Sequence, residues 1–373
     1  MSSYSRLAVF FMRVSIILGL AIAAYFLLAI PLPSFEYQPT VTVYAYSDML
    51  SPEVFEEFEK NTGIHVNVRY FEAAEELTTR LVFSKDEVVD VVMPTDGISE
   101  LLIQEDLLLP LDRSKIRHFD TVDPRLLKRF YDQENVYTIP FSWSPIGIGY
   151  DSRVLAIDPN TVGWDLVFGR QVDGCFIPPH ELYNVPPFTV CMGEDPWESL
   201  YLASIHLFND VYSFGTHSQR SAIVETMRNQ RGWLESYTNN LKYFLVAGIS
   251  PCVVIPAAYM VEIMREYEWA RFAVPKQGSL MILGDVAIPK RSRQPDLAYK
   301  LINYLLSESG SLHCHNEHLF NPVNVNAYDQ LDEDIRDNRF ILPKGKDMES
   351  HFFLAHNNFS TRIIEHMWHI IKL

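Results

Sequence analysis

The stretch of sequence that decides the fold runs from residue 41 to residue 105 and reads VTVYAYSDMLSPEVFEEFEKNTGIHVNVRYFEAAEELTTRLVFSKDEVVDVVMPTDGISELLIQE. Runs rich in β-branched and aromatic residues alternate with segments whose apolar residues recur at helical spacing. The pattern predicts three strand–helix pairs, with strands over 41–46, 64–70 and 87–93. This alternation is typical of βαβ units and a mainly parallel sheet, so we expect an α/β fold.

Polar residues follow two of these strands, where parallel sheets commonly bind ligands. Tyr46, Ser47 and Asp48 come at the end of the first strand. Thr95 and Asp96 follow the third strand. We therefore expect both groups at one candidate site. The alternatives are an ordinary strand aromatic for Tyr46, a helix cap for Asp48 and a turn residue for Asp96.

Composition indicates a folded, acidic protein. The 373 residues are 48% hydrophobic and 21% charged, which excludes a largely disordered chain. A chain of this length is comfortable with two hydrophobic cores. Lys and Arg number 31 against 47 Asp and Glu, so the formal net charge is -16. Nucleic-acid binding needs a basic face and is excluded, whereas cations are attracted at long range.

The N-terminal region predicts export. Residues 14–32, VSIILGLAIAAYFLLAIPL, carry no charge and approach the roughly 20 residues that span a bilayer as a helix. Arg6 and Arg13 precede this stretch, as in a signal peptide or an uncleaved anchor. We favour a membrane anchor and leave a cleaved signal open. A proline-containing linker then reaches residue 40, and the remainder is expected in the periplasm or at the cell surface.

A second pair of carboxylates lies in Glu194-Asp-Pro-Trp-Glu198. Pro196 favours the first position of a helix, with Asp195 as its cap. Asp195 and Glu198 are then about one helical turn apart and could share one ammonium group of a ligand. The alternative is that acidic residues are simply favoured at a helix N-terminus.

Five local patterns, in order along the chain, resemble those of one protein family. They are FEEFEKNTGI (55–64), DVVMPT (90–95), YTIPFSWSPIGIG (137–149), PKQG followed by AIP (275–289), and LINYLL (301–306). The chain thereby resembles the periplasmic spermidine/putrescine-binding proteins of ABC transporters, within the extracellular solute-binding proteins.

The resemblance implies two α/β lobes that close by a hinge on a small cationic polyamine and deliver it to an ABC permease. It implies neither chemistry on the ligand nor a cofactor. After the N-terminal residues 1–40, lobe one would comprise 41–144 and 283–328. Lobe two would comprise 145–282 and 329–373.

This chain has acidic residues at most of the positions where the family has them, but aromatic residues at few of the positions where the family has those. Met49, Gly97, Val254 and Ile282 stand where the family has aromatic residues. In the family an acidic residue in a late strand binds one amine; Gly284 stands at that position here, and Asp285 follows one position later. Pattern and resemblance together predict a ligand site formed by Tyr46, Ser47, Asp48, Thr95, Asp96, Asp195, Glu198, Tyr259 and Asp285.

Two other interpretations of the ligand-binding fold stay open. The missing aromatic residues are consistent with a different small solute, such as an amino acid or a metal complex. The chain could also serve as a sensor or an interaction module without transport.

Enzyme and metal-centre signatures are weak. No GxSxG, HExxH, P-loop or GxGxxG pattern occurs, so we expect no enzyme. His313, Cys314, His315 and His318 could hold a metal, but histidines near a helix C-terminus are also favoured by the helix dipole. We therefore expect no metal.

The four cysteines form no CxxC pair. Cys175 and Cys191 flank a proline-rich stretch and could form a disulfide in an oxidising compartment. The alternative is free, buried thiols.

Overall fold

A computed structural model of the protein describes residues 3–29, 38–46, 50, 53–71, 74–83, 88–353 and 361–373. The chain divides into two compact units, Met1–Pro39 and Thr40–Leu373. The first unit contains helix α1 (Ser3–Ala29), which begins before the predicted apolar stretch. Among the described residues, no helix meets both the length and the apolarity needed to cross a membrane.

The second unit alternates strands and helices along most of its length. The strands are β1 (Thr40–Tyr46), β2 (His65–Phe71), β3 (Val91–Met93), β4 (Thr138–Asp151), β5 (Arg170–Val172), β6 (Cys175–Ile177), β7 (Val190–Met192), β8 (Leu234–Tyr237), β9 (Cys252–Pro256), β10 (Ala270–Ala273), β11 (Ser279–Ala287), β12 (Asn321–Pro322) and β13 (His351–Phe353). The α-helices are α2 (Glu53–Thr62), α3 (Ala74–Phe83), α4 (Asp96–Gln104), α5 (Asp165–Phe168), α6 (Pro179–Tyr183), α7 (Pro196–Phe208), α8 (His217–Gln230), α9 (Leu241–Val246), α10 (Ala257–Glu266), α11 (Pro295–Leu306), α12 (Glu308–His318), α13 (Glu333–Arg336), α14 (Lys346–Glu349) and α15 (Thr361–Lys372).

The three predicted strand–helix pairs are confirmed. Strand β1 pairs in parallel with β2 on one side and with β3 on the other. Helix α2 buries Val54, Phe55 and Phe58, which recur at helical spacing. The helix ends before Gly63, whose φ of +69° is a left-handed conformation that glycine adopts at little cost. Periodicity and turn chemistry therefore predict this part of the fold correctly.

The main sheet has the strand order β2-β1-β3-β11-β4-β9-β7-β8, and β4 runs through both of its halves. The stretch of β4 up to Pro145 pairs with β11, and the stretch from Ile146 pairs with β9 and β10. We call the part from β2 to β11 the first sheet half and the part with β9, β7 and β8 the second sheet half. All 14 residues of β4 are buried. One continuous, buried strand therefore connects the two halves.

Close packing against β4 explains its Gly147-Ile-Gly149 pattern. A Cβ atom on Gly147 would lie 2.5 Å from the ring of Phe272 in β10, and one on Gly149 would lie 2.4 Å from the sulfur of Met260 in α10. Both distances are far below van der Waals contact. Gly147 is required because an added Cβ would also lie 2.6 Å from the backbone carbonyl oxygen of Ala273, whereas a Cβ on Gly149 would force the methionine side chain to shift.

Two predicted segments differ from the structure. The sequence pattern predicts residues 221–247 as largely helical with a break near Gly232. The helix does end there, at Gln230, but the strand β8 follows it because β8 pairs in parallel with β7 at the edge of the sheet. Residues 173–187 are predicted as a loop, but they contain β6 and α6, and β6 pairs with β5. Asp173 and Gly174, both with positive φ, form the two-residue turn of this hairpin. The Asp-Gly pair is therefore a usable hairpin signal.

The disulfide between Cys175 and Cys191 does not form. All four cysteines, each among the described residues, are free thiols. Cys175 is exposed on β6, whereas Cys191 is buried on β7. The alternative of free, buried thiols holds for Cys191, Cys252 and Cys314.

Candidate functional site

The first group of predicted site residues lies where β3 ends and α4 begins. Thr95 forms an isolated antiparallel bridge with Gly284, and the backbone N–H of Asp285 donates to the carbonyl of Pro94 at 2.8 Å. This pairing places Thr95, Asp96 and Asp285 next to one another. The Thr95 side chain makes no capping hydrogen bond to α4, although Thr95 is the N-cap residue. We call Thr95, Asp96 and Asp285 the α4 end of the site.

Asp285 is fully buried, and its carboxylate is held from within the chain. The Tyr131 hydroxyl donates to its Oδ2 at 2.8 Å. The pairing of β11 with β4 is irregular between Gly284 and Asp285, which indicates a bulge at this position. Burial raises the pKa of Asp285 to about 6. Ionisation of Asp285 therefore costs more free energy than ionisation of an exposed aspartate.

The second group lies at the start of α7, on the second sheet half. Asp195 is the N-cap, and its Oδ1 accepts hydrogen bonds from the backbone N–H groups of Trp197 at 2.7 Å and Glu198 at 3.1 Å. Glu198 is half-buried over Gly193, where an added Cβ would lie 3.4 Å from its Oε1. Burial raises the pKa of Glu198 to about 8, and the charge of neighbouring Asp195 also acts to raise it. We call Asp195 and Glu198 the α7 end.

Tyr201 connects the two ends electrostatically. It is a fully buried residue of α7, and burial is the main cause that raises its pKa well above the usual value. The charges of Glu100 and Asp96 on α4 raise this pKa further, and so does Asp195 at the start of α7. Helices α4 and α7 also both contact strand β11. The α4 and α7 ends therefore lie near one another, and we call the region between them the cleft.

Two residues of the site, Arg129 and Tyr131, are not identified by any sequence pattern. They lie in an irregular segment before β4 that carries no helical or strand periodicity, so no local signal marks them. Tyr131 contacts Asp285, as described above. Arg129 lies within electrostatic range of Tyr131, Asp96, Asp285 and Tyr212. The α4 end therefore contains a cation that belongs to the protein itself.

The remaining predicted residues have other surroundings or are not described. Tyr46 ends β1, and its ring packs edge-on against Phe71 with the centroids 5.6 Å apart. Tyr259 lies on α10 with its ring 5.9 Å from that of Phe320, and the Lys242 ammonium lies 5.4 Å from the Tyr259 ring. Ser47 and Asp48 lie outside the described residues, and so does Met49.

The candidate metal ligands of α12 have structural contacts. The His313 Nε2 atom lies 3.2 Å from the carbonyl oxygen of Glu53, and the His315 Nδ1 atom lies 2.8 Å from the carbonyl oxygen of Phe320. Cys314 is buried in the core. Within the part of the chain that the structure describes, no three His, Cys, Asp or Glu side chains are grouped to hold a metal ion.

A sheet in two halves that share one buried strand, with acidic side chains gathered at the starts of α4 and α7, suits a ligand-binding protein. The model of the bacterial extracellular solute-binding protein family matches residues 53–338. The chain therefore belongs to this family.

Similar proteins agree with this assignment. The putrescine-binding periplasmic protein PotF of Escherichia coli is 24% identical over 319 residues, which cover 82% of this chain and 84% of that protein. A putrescine/agmatine-binding protein of Pseudomonas aeruginosa is 26% identical over 286 residues, covering 72% and 74%. The crystal structure of the spermidine/putrescine ABC transporter substrate-binding protein PotD of Streptococcus pneumoniae superposes with a TM-score of 0.77 at 20% identity, covering 90% of this chain and 98% of that one.

These findings confirm the resemblance, the α/β fold and the general function. The protein is a solute-binding protein and not an enzyme, because the family to which it belongs is one of extracellular solute-binding proteins. The family description supports a periplasmic location.

Proposed function

We propose that this protein captures a small cationic polyamine of the putrescine/spermidine class in the cleft and delivers it to an ABC permease. The single observation that carries the proposal is that helices α4 and α7, whose starts carry the two groups of carboxylates, both contact the strand that holds Asp285, β11. Relatives whose names specify putrescine support the same ligand class.

Ligand chemistry fits this arrangement. Each ammonium group of a polyamine is stabilised by a carboxylate, most strongly where water is excluded. Glu198 is held near its neutral form without a ligand because burial raises its pKa to about 8. An ammonium group in contact with it would favour ionisation, so binding would release a proton from Glu198.

Closure would take place about the strands that connect the sheet halves. We propose the lobes predicted above, 41–144 with 283–328 and 145–282 with 329–373. Strand β4 changes its pairing partners between Pro145 and Ile146, which supports a boundary at this position. Only the closed state would contact the ligand from both lobes, so binding would favour closure.

Attachment to the membrane is a separate proposal. The described side chains of α1 are exposed and mostly apolar, including Phe10, Phe11 and Leu18, each at about 60% exposure. Exposed apolar residues of this kind, preceded by basic residues, favour an anchor that remains in the membrane. Fractionation of cells before and after alkaline washing would test it, because an uncleaved anchor stays with the membrane pellet.

Titration calorimetry of the full chain with putrescine, cadaverine, spermidine, basic amino acids and metal ions tests the ligand class. We expect binding of a diamine or triamine and none of the metal ions. The Asp195→Asn and Glu198→Gln variants should bind amines more weakly. If their affinity were undiminished, the α7 end would not hold the ligand and the proposal would be wrong.

A second candidate ligand is a solute other than a polyamine. Gly97 is buried at the start of α4 and Ile282 is half-buried on β11, so the aromatic faces that would cover polyamine methylenes are missing at both positions. Binding of an amino acid alone in the same screen would favour this candidate.

A further inference from the structure

We propose that Arg129 acts as a built-in cation at the α4 end and limits the number of ammonium groups that the cleft accepts. This inference rests on the proposed polyamine function and adds charge selectivity to it: short diamines are favoured over triamines. Three features of Arg129 carry it, namely its anchoring, its position and its charge partners.

Arg129 is anchored by the backbone and by an aromatic ring. Its Nε donates to the carbonyl of Leu127 at 3.2 Å, and its Nη2 donates to the carbonyls of Leu127 and Arg125 at 2.7 and 2.9 Å. The guanidinium carbon lies 3.8 Å from the centroid of the Phe353 ring. A guanidinium held by two carbonyls and an aromatic face has a defined position.

This position is at the junction of the sheet halves. Phe353 of β13 pairs with Met281 of β11, four residues before Asp285 on the same strand. Tyr131, two residues after Arg129, donates its hydroxyl to Asp285. Arg129 also forms a backbone bridge with Asp132, which closes a tight turn around Tyr131. The contacts of Arg129 and Tyr131 therefore hold this segment beside β11 and the α4 end.

The charge of Arg129 acts on the carboxylates of that end. Asp96 and Asp285 are both within its electrostatic range and both fully buried. The Arg129 hydrogen bonds among the described residues use Nε and Nη2. A ligand ammonium at the α4 end would meet carboxylates that a protein cation already offsets, and would be repelled by that cation.

The α7 end differs in this respect. The charged neighbour that acts on Glu198 is Asp195, another acid. One ammonium group is therefore bound strongly at the α7 end, and a second is tolerated toward the α4 end. A third ammonium, as in spermidine, would have to lie nearest to Arg129.

An incoming anion is not the expected partner of Arg129. A ligand carboxylate that approached Nη1 would be repelled by Asp96 and Asp285, which lie within range of the same guanidinium. The acidic balance of the cleft thus favours cations of low charge over zwitterions.

The test is the ratio of the dissociation constants for spermidine and putrescine, measured by titration calorimetry on the full chain. We expect the unmodified protein to bind putrescine about tenfold more tightly than spermidine, and Arg129→Gln to reduce this ratio about tenfold, mainly by strengthening spermidine binding. Arg129→Lys retains the charge and should retain most of the ratio. Arg228→Gln removes an exposed arginine of α8 as the matched control and should leave the ratio unchanged.

Three outcomes would overturn the inference. An unchanged ratio in Arg129→Gln, with both amines still bound, would remove the role of Arg129 and leave the polyamine function intact. Tighter binding of 4-aminobutanoate than of putrescine, lost in Arg129→Gln, would make Arg129 an anion-binding residue. Absence of amine binding in every variant would contradict the proposed function as well. Melting temperatures of the variants identify any that fail to fold.

Discussion

The α4 end and the α7 end of the cleft carry the same functional groups in opposite settings. At the α4 end the Asp285 carboxylate is fully buried, hydrogen-bonded to Tyr131 and accompanied by Arg129. At the α7 end Glu198 is half-buried, and an acid is its charged neighbour. A carboxylate whose charge is offset by a cation of the protein gains little from a ligand ammonium group, whereas a carboxylate beside a second acid gains more. We therefore propose that the α7 end makes the main contact with the ligand.

The largest effect is expected for Glu198→Gln. Removing the charge that meets the ligand ammonium should weaken putrescine binding about 100-fold, in the range for truncation of a buried charge pair. Calorimetric titration measures it. Glu194→Gln is the matched control, because Glu194 is exposed four residues earlier and should change affinity little. Equal losses in both variants would show that general electrostatics, and not the position of Glu198, attracts the ligand.

Two substitutions of Asp195 should distinguish its role as a helix cap from its role in ligand binding. Asparagine caps helices as well as aspartate does, so Asp195→Asn should keep the melting temperature while weakening putrescine binding about tenfold. Asp195→Ala should in addition lower the free energy of unfolding by about 1 kcal/mol, because the N–H groups of Trp197 and Glu198 lose their acceptor. If Asp195→Asn bound as well as the unmodified protein, Asp195 would be a cap only.

Asp285→Asn should affect binding least among the acids. Its charge is offset by Arg129 and its Oδ2 already accepts a hydrogen bond from Tyr131, so we expect a loss of about threefold in putrescine affinity. The same titration measures this loss beside that of Glu198→Gln. A loss as large as that of Glu198→Gln would contradict this expectation, because the α4 end would then contribute as much to ligand binding as the α7 end.

The smallest effect is expected for the pH dependence of the free energy of unfolding, compared between the unmodified protein and Glu198→Gln. The folded pKa of Glu198, about 8, lies above the ordinary value of 4.5, so its contribution to stability is complete below pH 4.5 and is lost as the pH rises through 8. Glu198→Gln should therefore be more stable than the unmodified protein at about pH 8.5, by roughly 1 kcal/mol after allowance for partial exposure. The two should be equally stable at about pH 4. Thermal unfolding without ligand measures the difference, and a constant difference at all pH values would contradict the raised pKa.

Local sequence signals predict the elements whose partners are near in the chain. Helix α7 with Asp195 as its cap and Pro196 at its first position is confirmed, because capping depends on residues two or three positions apart. Local patterns do not predict strand β8 because its pairing partner, β7, lies more than 40 residues earlier in the sequence. The pattern around β8 is compatible with a helix, and only the sheet edge provides the hydrogen-bond partners that make it a strand.

The residues of the candidate site likewise fall into those that local sequence patterns indicate and those that they do not. Strand ends and a paired-acid motif are sufficient to indicate Thr95, Asp96, Asp195 and Glu198. Arg129 has no such signal, since its importance depends on Asp96, Asp285 and Phe353, which are distant along the chain. A sequence pattern within one segment cannot show that the charge of Arg129 acts on Asp96 and Asp285 in other segments.

The sequence by itself determined the α/β class, the family, the helix starts that carry the acids and the overall attraction for cations. These properties follow from periodicity, local motifs, capping and net charge, which are local or additive. Only the tertiary structure decided which acids lie near a cation of the protein and which lie beside another acid. Burial and pairing set that difference, because the cost of a charge depends on the groups that long-range folding brings around it.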